Sequence, residues 1–479
     1  MSADGWLTRG REATADEVSA VLRGWRLSAE RTQAEVAEAL GMTQQHLSQM
    51  ENGRRPVSLE QRRLIVTELG IAAEDLGLSS SQTRGVVSRN EASPEIAGSR
   101  LRWRAERRWL NQHRCELAQL ARKLYPAEHH VSRTALIAAP EWRTAEPIEL
   151  RSIALDLDEG PQTAVVTGDE PESAATRPLR TASAPFDRYT SAIRHLGPPA
   201  LFESRPSYRL LNASLGSNRL GFGLAAYFDK LDVSEALGHE LAAACMDGGI
   251  PASPTDLPGR LPFRDLVVGG DPFDPARRVI IPAITTLTIR LRRYPAEPSF
   301  LLHWRDPAKV ATAAGIYDVI PAGEFQPSSV ALWDRRNDFD LWRNVVREYA
   351  EELLGEPEHD GTRSRPIAYD DWPLYQRLDQ AHADGAVTSF VLGLGLDALT
   401  LAATILTVVV IDDDVFTAAF GETVQFNDEG EIVAVDGIPA EGVPFMEAAV
   451  TRMLGSEPMA SPGAACLALA WEHRRFLGL

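Results

Sequence analysis

Apolar residues recur at helical spacing in two short segments near the N-terminus of the 479-residue chain. The first segment begins at Thr32 and ends at Gly41, and the second begins at Thr43 and ends at Asn52. Their inward-facing apolar positions are Val36, Ala37, Leu40, Leu47 and Met50. This spacing predicts two amphipathic helices joined by a tight turn.

The residues at the ends of these segments indicate how the helices start and stop. Thr32 is followed three residues later by Glu35, which is the pattern of a capping box. Thr43 is placed to cap the second helix. Gly41 is expected in the left-handed conformation that ends a helix most easily without a Cβ. Together these signals predict a helix-turn-helix.

A helix pair of this size cannot bury a sufficient core alone. The flanking sequence supplies further apolar positions, namely Val21, Leu22, Trp25, Leu59, Leu64, Ile65 and Leu69. We therefore expect an all-α domain of about five helices over residues 14–78.

Farther along the chain, short β-rich runs alternate with helical segments. Strands are predicted at residues 285–290 and 300–304. The apolar stretch 387–411 is broken by glycines and ends in three aspartates, a pattern that predicts two buried strands rather than a membrane span. The expected fold class is multidomain: an all-α five-helix domain, then an α/β or α+β body.

Changes in composition suggest the domain boundaries. Residues 77–99 are rich in Ser, Gly and polar residues and predict a flexible linker. A basic helix is expected over residues 100–125. The resulting division assigns the helix-turn-helix domain to residues 14–78, the linker and basic helix to 79–126, and the body to 127–275, 276–425 and 426–479.

The formal net charge of −18 argues against nucleic acid only as an average over the chain. Residues 84–123 contain ten Arg or Lys and four Glu, a local balance of +6. An acidic protein with such a segment presents one face to phosphates and repels them elsewhere. The basic helix is either a second contact with the DNA backbone or a solvated or dimer-forming helix, and the sequence favours neither.

The three cysteines, Cys115, Cys245 and Cys466, lie far apart and fit neither a disulfide framework nor a zinc site. Residues 1–10 lack the apolar segment of a secretory signal. We therefore expect a cytoplasmic protein without membrane contact.

Polar side chains dominate the outward face of the second predicted helix. They are Thr43, Gln44, Gln45, Ser48, Gln49 and Asn52. A glutamine amide can form bidentate hydrogen bonds with adenine in the major groove. Gln33 is placed to touch a phosphate, and Arg54 and Arg55 follow on a loop where contact with the DNA backbone is expected. The predicted partner is double-stranded DNA.

Residues 17–76 strongly resemble the helix-turn-helix of the Cro/C1, or xenobiotic-response-element type, repressors. The resemblance rests on the two capped helices, the glycine turn, the amide run and the ENGRRP string at residues 51–56. It implies DNA contacts from Gln33, Gln44, Gln45, Ser48 and Gln49. It also implies a transcriptional regulator that binds inverted repeats as a homodimer.

A second candidate site lies on a helix predicted over residues 338–354. Glu348 and Glu352 are four residues apart and share one helix face, with Glu351 beside them. Carboxylates grouped in this way can bind Mg²⁺, which takes oxygen ligands and bridges to substrate phosphates. The three glutamates are therefore candidate metal ligands.

Residues 276–425 resemble the Nudix fold, in which an R-E-x-x-E-E helix binds the divalent metal for diphosphate hydrolysis. The matching residues are Arg347, Glu348, Glu351 and Glu352. The sequence departs from the family pattern at Trp333 and Phe339, where the family has Gly and Glu, and Gly355 is displaced by one position. A Nudix-like sensor with a mixed sheet but no catalysis, an active hydrolase and a chance match all stay open.

Two shorter strings carry less chemistry. His239 and Glu240 lack the second histidine of an H-E-x-x-H zinc site, because Ala243 stands in its place, and we interpret them as the start of a structural helix. The Gly-Leu-Gly string at 393–395 lacks the third glycine of a dinucleotide motif and is interpreted as a tight bend. No catalytic residue is assigned.

The leading hypothesis is a sequence-specific DNA-binding transcriptional regulator whose body senses a small, nucleotide-like ligand. The body is far larger than dimerisation requires, which motivates the sensor. One alternative is a Nudix-type hydrolase with an autoregulatory helix-turn-helix, and another is an adaptor for a protein partner. No cofactor is expected, apart from Mg²⁺ if the carboxylate site is active.

Overall fold

The computed structural model describes residues 15–28, 31–69, 71, 76, 94–199, 202–292, 297–305, 315–358, 365–421, 430–432 and 442–479. The chain divides into two compact units. The first comprises Met1–Leu101, Leu179–Ala184 and Ile193–Phe202, and the second comprises Arg102–Pro178, Pro185–Ala192 and Glu203–Leu479. The expectation of a helical N-terminal region and a separate α/β body is confirmed.

Four helices form the described part of the N-terminal region. They are α1 (Ala15–Ser28), α2 (Gln33–Ala39), α3 (Gln44–Glu51) and α4 (Leu59–Leu69). The five-helix count is not confirmed, because residues 70, 72–75 and 77–93 lie outside the described part of the chain.

One apolar core joins these four helices. Its buried members are Val18, Leu22, Val36, Ala37, Leu40, Leu47, Met50, Val57, Ile65, Leu69, Ile71 and Leu76. Val21, Trp25 and Leu64 pack against it while partly exposed. Each buried aliphatic side chain contributes up to about 1.5–3 kcal/mol, so the two short central helices depend on this shared core. The core predicted from the apolar pattern is confirmed, apart from Leu59, whose side chain is outside the described part.

The basic segment differs from the prediction of one helix over 100–125. It forms two helices, α5 (Pro94–Gln112) and α6 (Arg114–Arg122). Residues 94–99, expected in the linker, are helical, and Pro94 stands at the first position of the helix, where no N–H donor is needed. The break falls at His113, whose backbone departs from the helical conformation with φ −117° and ψ 23°.

An eight-stranded mixed sheet forms the centre of the body. Its strands are β1 (Leu136–Ile137), β2 (Arg143–Glu149), β8 (Pro282–Leu291), β9 (Ser299–Phe300), β12 (Ala322–Glu324), β13 (Val387–Asp397), β14 (Ala403–Asp412) and β16 (Val443–Pro444). The main order is β1-β13-β14-β8-β9-β16, with β2 on β13 and β12 on β8. Only β14 and β8 run parallel among these pairs.

The apolar stretch 387–411 forms the two buried strands that the sequence predicts, β13 and β14. Their long apolar runs are typical of strands covered on both sides. The Gly-Leu-Gly string at 393–395, which we expected to form a tight bend, lies inside β13. Gly393 has φ +154° at a break in the ladder, where the register shifts after Val391.

The predicted strand at 300–304 forms as β9 and β10 (Leu302–Arg305). The other strands are β3 (Ala154–Leu157), β4 (Leu179–Thr181), β5 (Ala184–Pro185), β6 (Pro206–Ser214), β7 (Arg219–Ala226), β11 (Ile316–Val319) and β15 (Gly430–Ile432). Two three-stranded sheets have the orders β11-β10-β15 and β3-β7-β6.

The remaining α-helices are α7 (Tyr189–Leu196), α8 (Tyr227–Met246), α9 (Pro262–Val268), α10 (Asp334–Asn337), α11 (Leu341–Leu354), α12 (Pro373–Ala383), α13 (Asp413–Phe420), α14 (Glu447–Ser456) and α15 (Ser461–Glu472). Short 3-10 helices occur at Ala127–His129, Pro140–Trp142, Leu150–Ser152, Pro171–Thr176, Leu215–Ser217, Pro254–Asp256 and Tyr369–Asp371. None of the helices described is long and apolar enough to cross a membrane.

The division of the body at 275/276 and 425/426 does not match the structure. The eight-stranded sheet takes β1 and β2 from the first predicted part, β8, β9, β12, β13 and β14 from the second and β16 from the third. Residues 276–425 therefore do not form a sheet of their own, and a separate Nudix-like domain is not confirmed. The reason is non-local pairing, since β13 pairs with β1 and β2 from the first predicted part and β9 pairs with β16 from the third.

His239 and Glu240 lie near the middle of α8, not at the start of a helix as expected. The His239 ring is fully buried between Glu106 Oε2, at 2.9 Å from Nε2, and the Tyr189 hydroxyl, at 3.0 Å from Nδ1. Glu240 accepts the backbone N–H groups of Phe263 at 2.7 Å and Arg264 at 2.9 Å. Both side chains therefore have structural roles in the body.

Glu240 caps α9 from a distance. The N-cap residue of that helix, Leu261, has no side-chain hydrogen bond to offer, so Glu240 supplies the missing acceptors.

Glu240→Ala should destabilise the body by about 2–4 kcal/mol, because two buried N–H groups lose their partner. Hydrogen exchange should then accelerate in peptides that cover residues 261–268. Glu116→Ala, at an exposed position on α6, should change exchange little, and equal exchange in both variants would contradict the capping role.

Candidate nucleic-acid interface

Side-chain caps start both central helices of the N-terminal region. The Thr32 N–H donates to Glu35 Oε2 at 2.7 Å, and the Glu35 N–H donates to Thr32 Oγ1 at 3.2 Å. These hydrogen bonds hold the pKa of the Glu35 carboxyl below its ordinary value. Gly41 has φ +64°, the left-handed conformation expected at this turn. The predicted capping box and glycine turn are confirmed.

Helix α3 turns a row of polar side chains outward. Thr43 caps it by accepting the N–H of His46 at 3.2 Å, while Leu47 and Met50 are fully buried on the opposite face. Gln44, Gln45 and Asn52 are exposed, and Ser48 and Gln49 are half-buried. Because the buried pair fixes the rotation of α3, the predicted amide row lies on its outer face.

Two contacts order the far end of this row. Asn52 Nδ2 donates to Ser48 Oγ at 3.3 Å, which links successive turns of the outer face. The backbone N–H groups of Arg54 and Arg55 donate to the carbonyl oxygen of Gln49 at 2.9 and 3.2 Å. Both arginines are exposed on this ordered loop, directly after the helix. Their placement fits contact with a DNA backbone.

A buried ionic network holds the C-terminal end of α3. Glu51 accepts Arg26 Nε at 2.6 Å and Arg26 Nη2 at 2.9 Å, in the bidentate geometry that guanidinium and carboxylate favour. Gln33 Nε2 donates to the same carboxylate at 2.9 Å. The Glu51 side chain is only 1% exposed, so α1, α2 and α3 meet at one carboxylate.

The burial and hydrogen bonds of Glu51 determine its ionisation. Burial by itself would raise the pKa of the Glu51 carboxyl, but hydrogen bonds from Arg26 and Gln33 outweigh that effect and keep the pKa below its ordinary value. The carboxylate is therefore ionised in the folded protein at neutral pH. Arg26 compensates its charge inside the region.

Gln33 makes a contact that the sequence did not predict. We expected its amide to donate to a phosphate, whereas the structure uses a hydrogen bond from Nε2 to hold Glu51. No local sequence pattern indicates this hydrogen bond, because Gln33 and Glu51 are 18 residues apart. A phosphate contact by Gln33 stays a prediction.

Sequence reasoning missed His46, Ser58 and Gln61. Ser58 N–H donates to Gln61 Oε1 at 2.9 Å and Gln61 N–H donates to Ser58 Oγ at 3.2 Å, a second capping box that starts α4. The S-x-x-Q spacing at residues 58–61 is visible in the sequence and would have revealed it. The Gln61 amide also meets the His46 ring, with 3.2 Å between the two Nε2 atoms.

The carboxylates of α11 do not assemble the predicted metal site. Glu352 Oε1 accepts the N–H of Ala322 at 3.0 Å, and the Glu348 carboxyl occupies the space beside Gly323, where a Cβ would lie 2.0 Å from it. Arg347 is buried and donates to Gln326 O at 2.8 Å. Within the described part of the chain, no group of three or more His, Cys, Asp or Glu is placed to hold a metal ion.

The reason lies in the packing of α11. Its R-E-x-x-E-E string is helical, as predicted, but that helix lies against β12. Strand backbone thereby becomes a partner of Glu352 and a close neighbour of Glu348. The prediction of Glu348, Glu351 and Glu352 as joint Mg²⁺ ligands therefore has no support in this geometry.

Replacing Arg26 tests how much its pairing with Glu51 contributes to the stability of the N-terminal region. Arg26→Met leaves the Glu51 carboxylate buried without its cation, which costs about 3–5 kcal/mol. Hydrogen exchange in peptides covering residues 15–51 should accelerate strongly. Arg23→Met removes from the same helix an exposed arginine whose charge contributes less than that of Arg26 to the lowered pKa of Glu51, and it should have a much smaller effect. Equal exchange in the two variants would contradict the structural role of the pair.

The same network predicts a pH dependence. Because the pKa of Glu51 is lowered on folding, its contribution to stability is complete above about pH 4.5 and is lost as the pH falls through the folded value. Glu51→Gln should therefore lose part of the acid dependence of exchange in residues 15–51. An unchanged acid profile would show that Glu51 does not carry it.

Comparison with protein families supports the N-terminal assignment. Residues 22–76 match the family model for Helix-turn-helix. Comparison with curated proteins and with solved structures gave no match for the chain. The matched residues contain α2, α3 and α4 together with the Glu51 network partner Arg26. The chain thus carries an N-terminal helix-turn-helix, a module that supports DNA binding by a regulator.

Proposed function

We propose that this protein is a sequence-specific DNA-binding transcriptional regulator that reads the major groove with α3. The observation that carries the proposal is the exposed amide row of α3, held by a buried core on one side and by the Glu51 network at its end. A helix with short polar side chains at its N-terminal half is suited to contact base edges.

Gln44 and Gln45 are the residues that would read bases. Both are exposed in the first turn of α3, which is the part of a recognition helix that enters the groove. A glutamine amide has a donor and an acceptor side by side, which matches N6 and N7 of adenine. Ser48, Gln49 and Asn52 continue the face and would contact neighbouring bases or sugars.

Arg54 and Arg55 would bind phosphates irrespective of sequence. They supply local positive charge in a chain whose net charge is −18, so the attraction to DNA has to come from such local groups. Two arginines of the basic segment are less suited to this role. Arg102 pairs with Glu106 and Asp247, and Arg114 lies 3.5 Å from Glu235.

We further propose that the protein acts as a homodimer and that its body senses a small ligand. Dimeric regulators place two recognition helices about one helical turn of DNA apart, and a ligand can act by changing that separation. Nothing described in the body favours a particular ligand. The hydrolase and adaptor alternatives likewise lack a supporting observation.

Substitution of the glutamines should relax sequence preference. We expect Gln44→Ala and Gln45→Ala each to cost about 1–3 kcal/mol on the preferred duplex and much less on a scrambled one, because a bidentate base contact is lost. The preferred duplex would come from selection of random sequences with the full chain. Affinities for both duplexes would be measured at one salt concentration.

Arg54→Ala should lower affinity without relaxing sequence preference. It should weaken binding to the preferred and scrambled duplexes alike and lower the salt dependence by about one counterion. Gln119→Ala, at an exposed position on α6 outside the proposed interface, should change neither affinity. Full sequence preference in the Gln44→Ala/Gln45→Ala double variant would refute base reading by α3.

A further inference from the structure

A single side-chain contact ties the N-terminal half of α3 to α4. His46 lies one residue after the two exposed glutamines, and its half-buried ring faces α4 rather than the outward row. Its Nε2 atom is 3.2 Å from Nε2 of Gln61. The Glu51 network holds the other end of α3, so the contact with Gln61 restrains the end that carries Gln44 and Gln45.

The direction of this hydrogen bond is fixed by the second capping box. The backbone N–H of Ser58 is a donor and lies 2.9 Å from Gln61 Oε1, so that atom must be the amide oxygen. The other end of the amide is therefore NH₂, which donates. Consequently His46 Nε2 has to be the acceptor, with a lone pair directed at Gln61.

An acceptor at Nε2 specifies one state of the ring. A neutral imidazole carries one proton, which then has to be on Nδ1. A protonated imidazole carries N–H on both nitrogens, so its Nε2–H would face the donating amide of Gln61 with no acceptor between them. Protonation therefore breaks the contact between α3 and α4.

We propose that His46 and Gln61 are a positioning pair for DNA reading, in which neutral His46 accepts a hydrogen bond from Gln61 and locks the N-terminal half of α3 against α4. The pair rests on the proposed function, because its effect on DNA is to keep Gln44 and Gln45 in register with base edges. A displacement of about 1 Å is enough to weaken such directional contacts. Loss of the pair should reduce discrimination between sequences more than overall affinity.

The surroundings of His46 give the sign of the pH dependence. Burial lowers the pKa of His46, and the positive charge of Arg55 on the following loop lowers it further. Gln61 of α4 is neutral, and Glu51 of α3 itself is directed at Arg26 and Gln33. The neutral pair is therefore intact above the ordinary histidine value near pH 6.5 and is lost as the pH falls through the lowered one.

The test is the ratio of affinities for the preferred and scrambled duplexes, measured with the full chain at pH 7.5 and at a lower pH at which nuclear magnetic resonance shows His46 to be protonated. We expect this ratio to fall about 3- to 10-fold at the lower pH, the effect of losing one neutral hydrogen bond. The ratio cancels the general gain in phosphate attraction that any new positive charge brings. An unchanged ratio would overturn the proposal.

Gln61→Glu reverses the hydrogen-bond requirement at the same position. Its carboxylate keeps an acceptor for the Ser58 N–H and offers a second acceptor to protonated His46. Neutral His46 can donate to this carboxylate from its Nε2–H tautomer and protonated His46 from the same atom, so the variant should keep its discrimination at both pH values, unlike the natural protein. His46→Gln should abolish the pH response. His382→Gln, which removes a histidine of the body, should leave it intact, and a Gln61→Glu variant that follows the natural trend would contradict the pairing.

Nuclear magnetic resonance separates this proposal from the proposed function. In the full chain with isotope-labelled histidine, the signal lost in His46→Gln identifies His46. We expect its Nδ1–H tautomer at neutral pH and a higher pKa in Gln61→Glu. If the proton is on Nε2 instead, the pair is wrong whatever the protein binds. If the tautomer is as expected but no duplex is preferred, the pair stands and its role in DNA reading fails.

Discussion

The N-terminal region depends on one buried carboxylate. Glu51, at the last residue of α3, gathers Arg26 from α1 and Gln33 from α2 and is almost inaccessible to solvent. The apolar contacts that these three short helices share are only weakly directional. Because an unpaired buried charge costs more than a single hydrogen bond gains, the carboxylate and its partners form together or not at all. This constraint fixes where α3 ends relative to its neighbours.

From that fixed point the rest of the interface follows. Leu47 and Met50 set the rotation of α3, and the Thr43 cap sets its beginning. The outer face then carries side chains that a folding core does not need: Gln44, Gln45, Ser48, Gln49 and Asn52. Exposed amides contribute little to stability, so their grouping on a rigid, well-capped helix is better explained by recognition of a partner.

Local signals in the sequence predicted the local features. Thr32 with Glu35, the left-handed Gly41 and the apolar spacing each act within a few residues, and the structure confirms them. Features that depend on distant residues were not predictable in this way. Gln33 contacts Glu51 from another helix, β13 pairs with β1 and β2 from the start of the body, and β14 pairs with β8 far back in the chain. The glutamates of α11 show the same limit, because a motif predicts a helix but not what packs on it.

The central claim is that the outer face of α3 contacts duplex DNA. Hydrogen exchange of the full chain, with and without the preferred duplex, tests it most directly. The account predicts that DNA slows exchange in peptides that cover residues 43–55, with peptides of the eight-stranded sheet unchanged. Binding of a duplex with protection confined to α5 and α6 would contradict it, since the basic helices and not α3 would then hold the DNA.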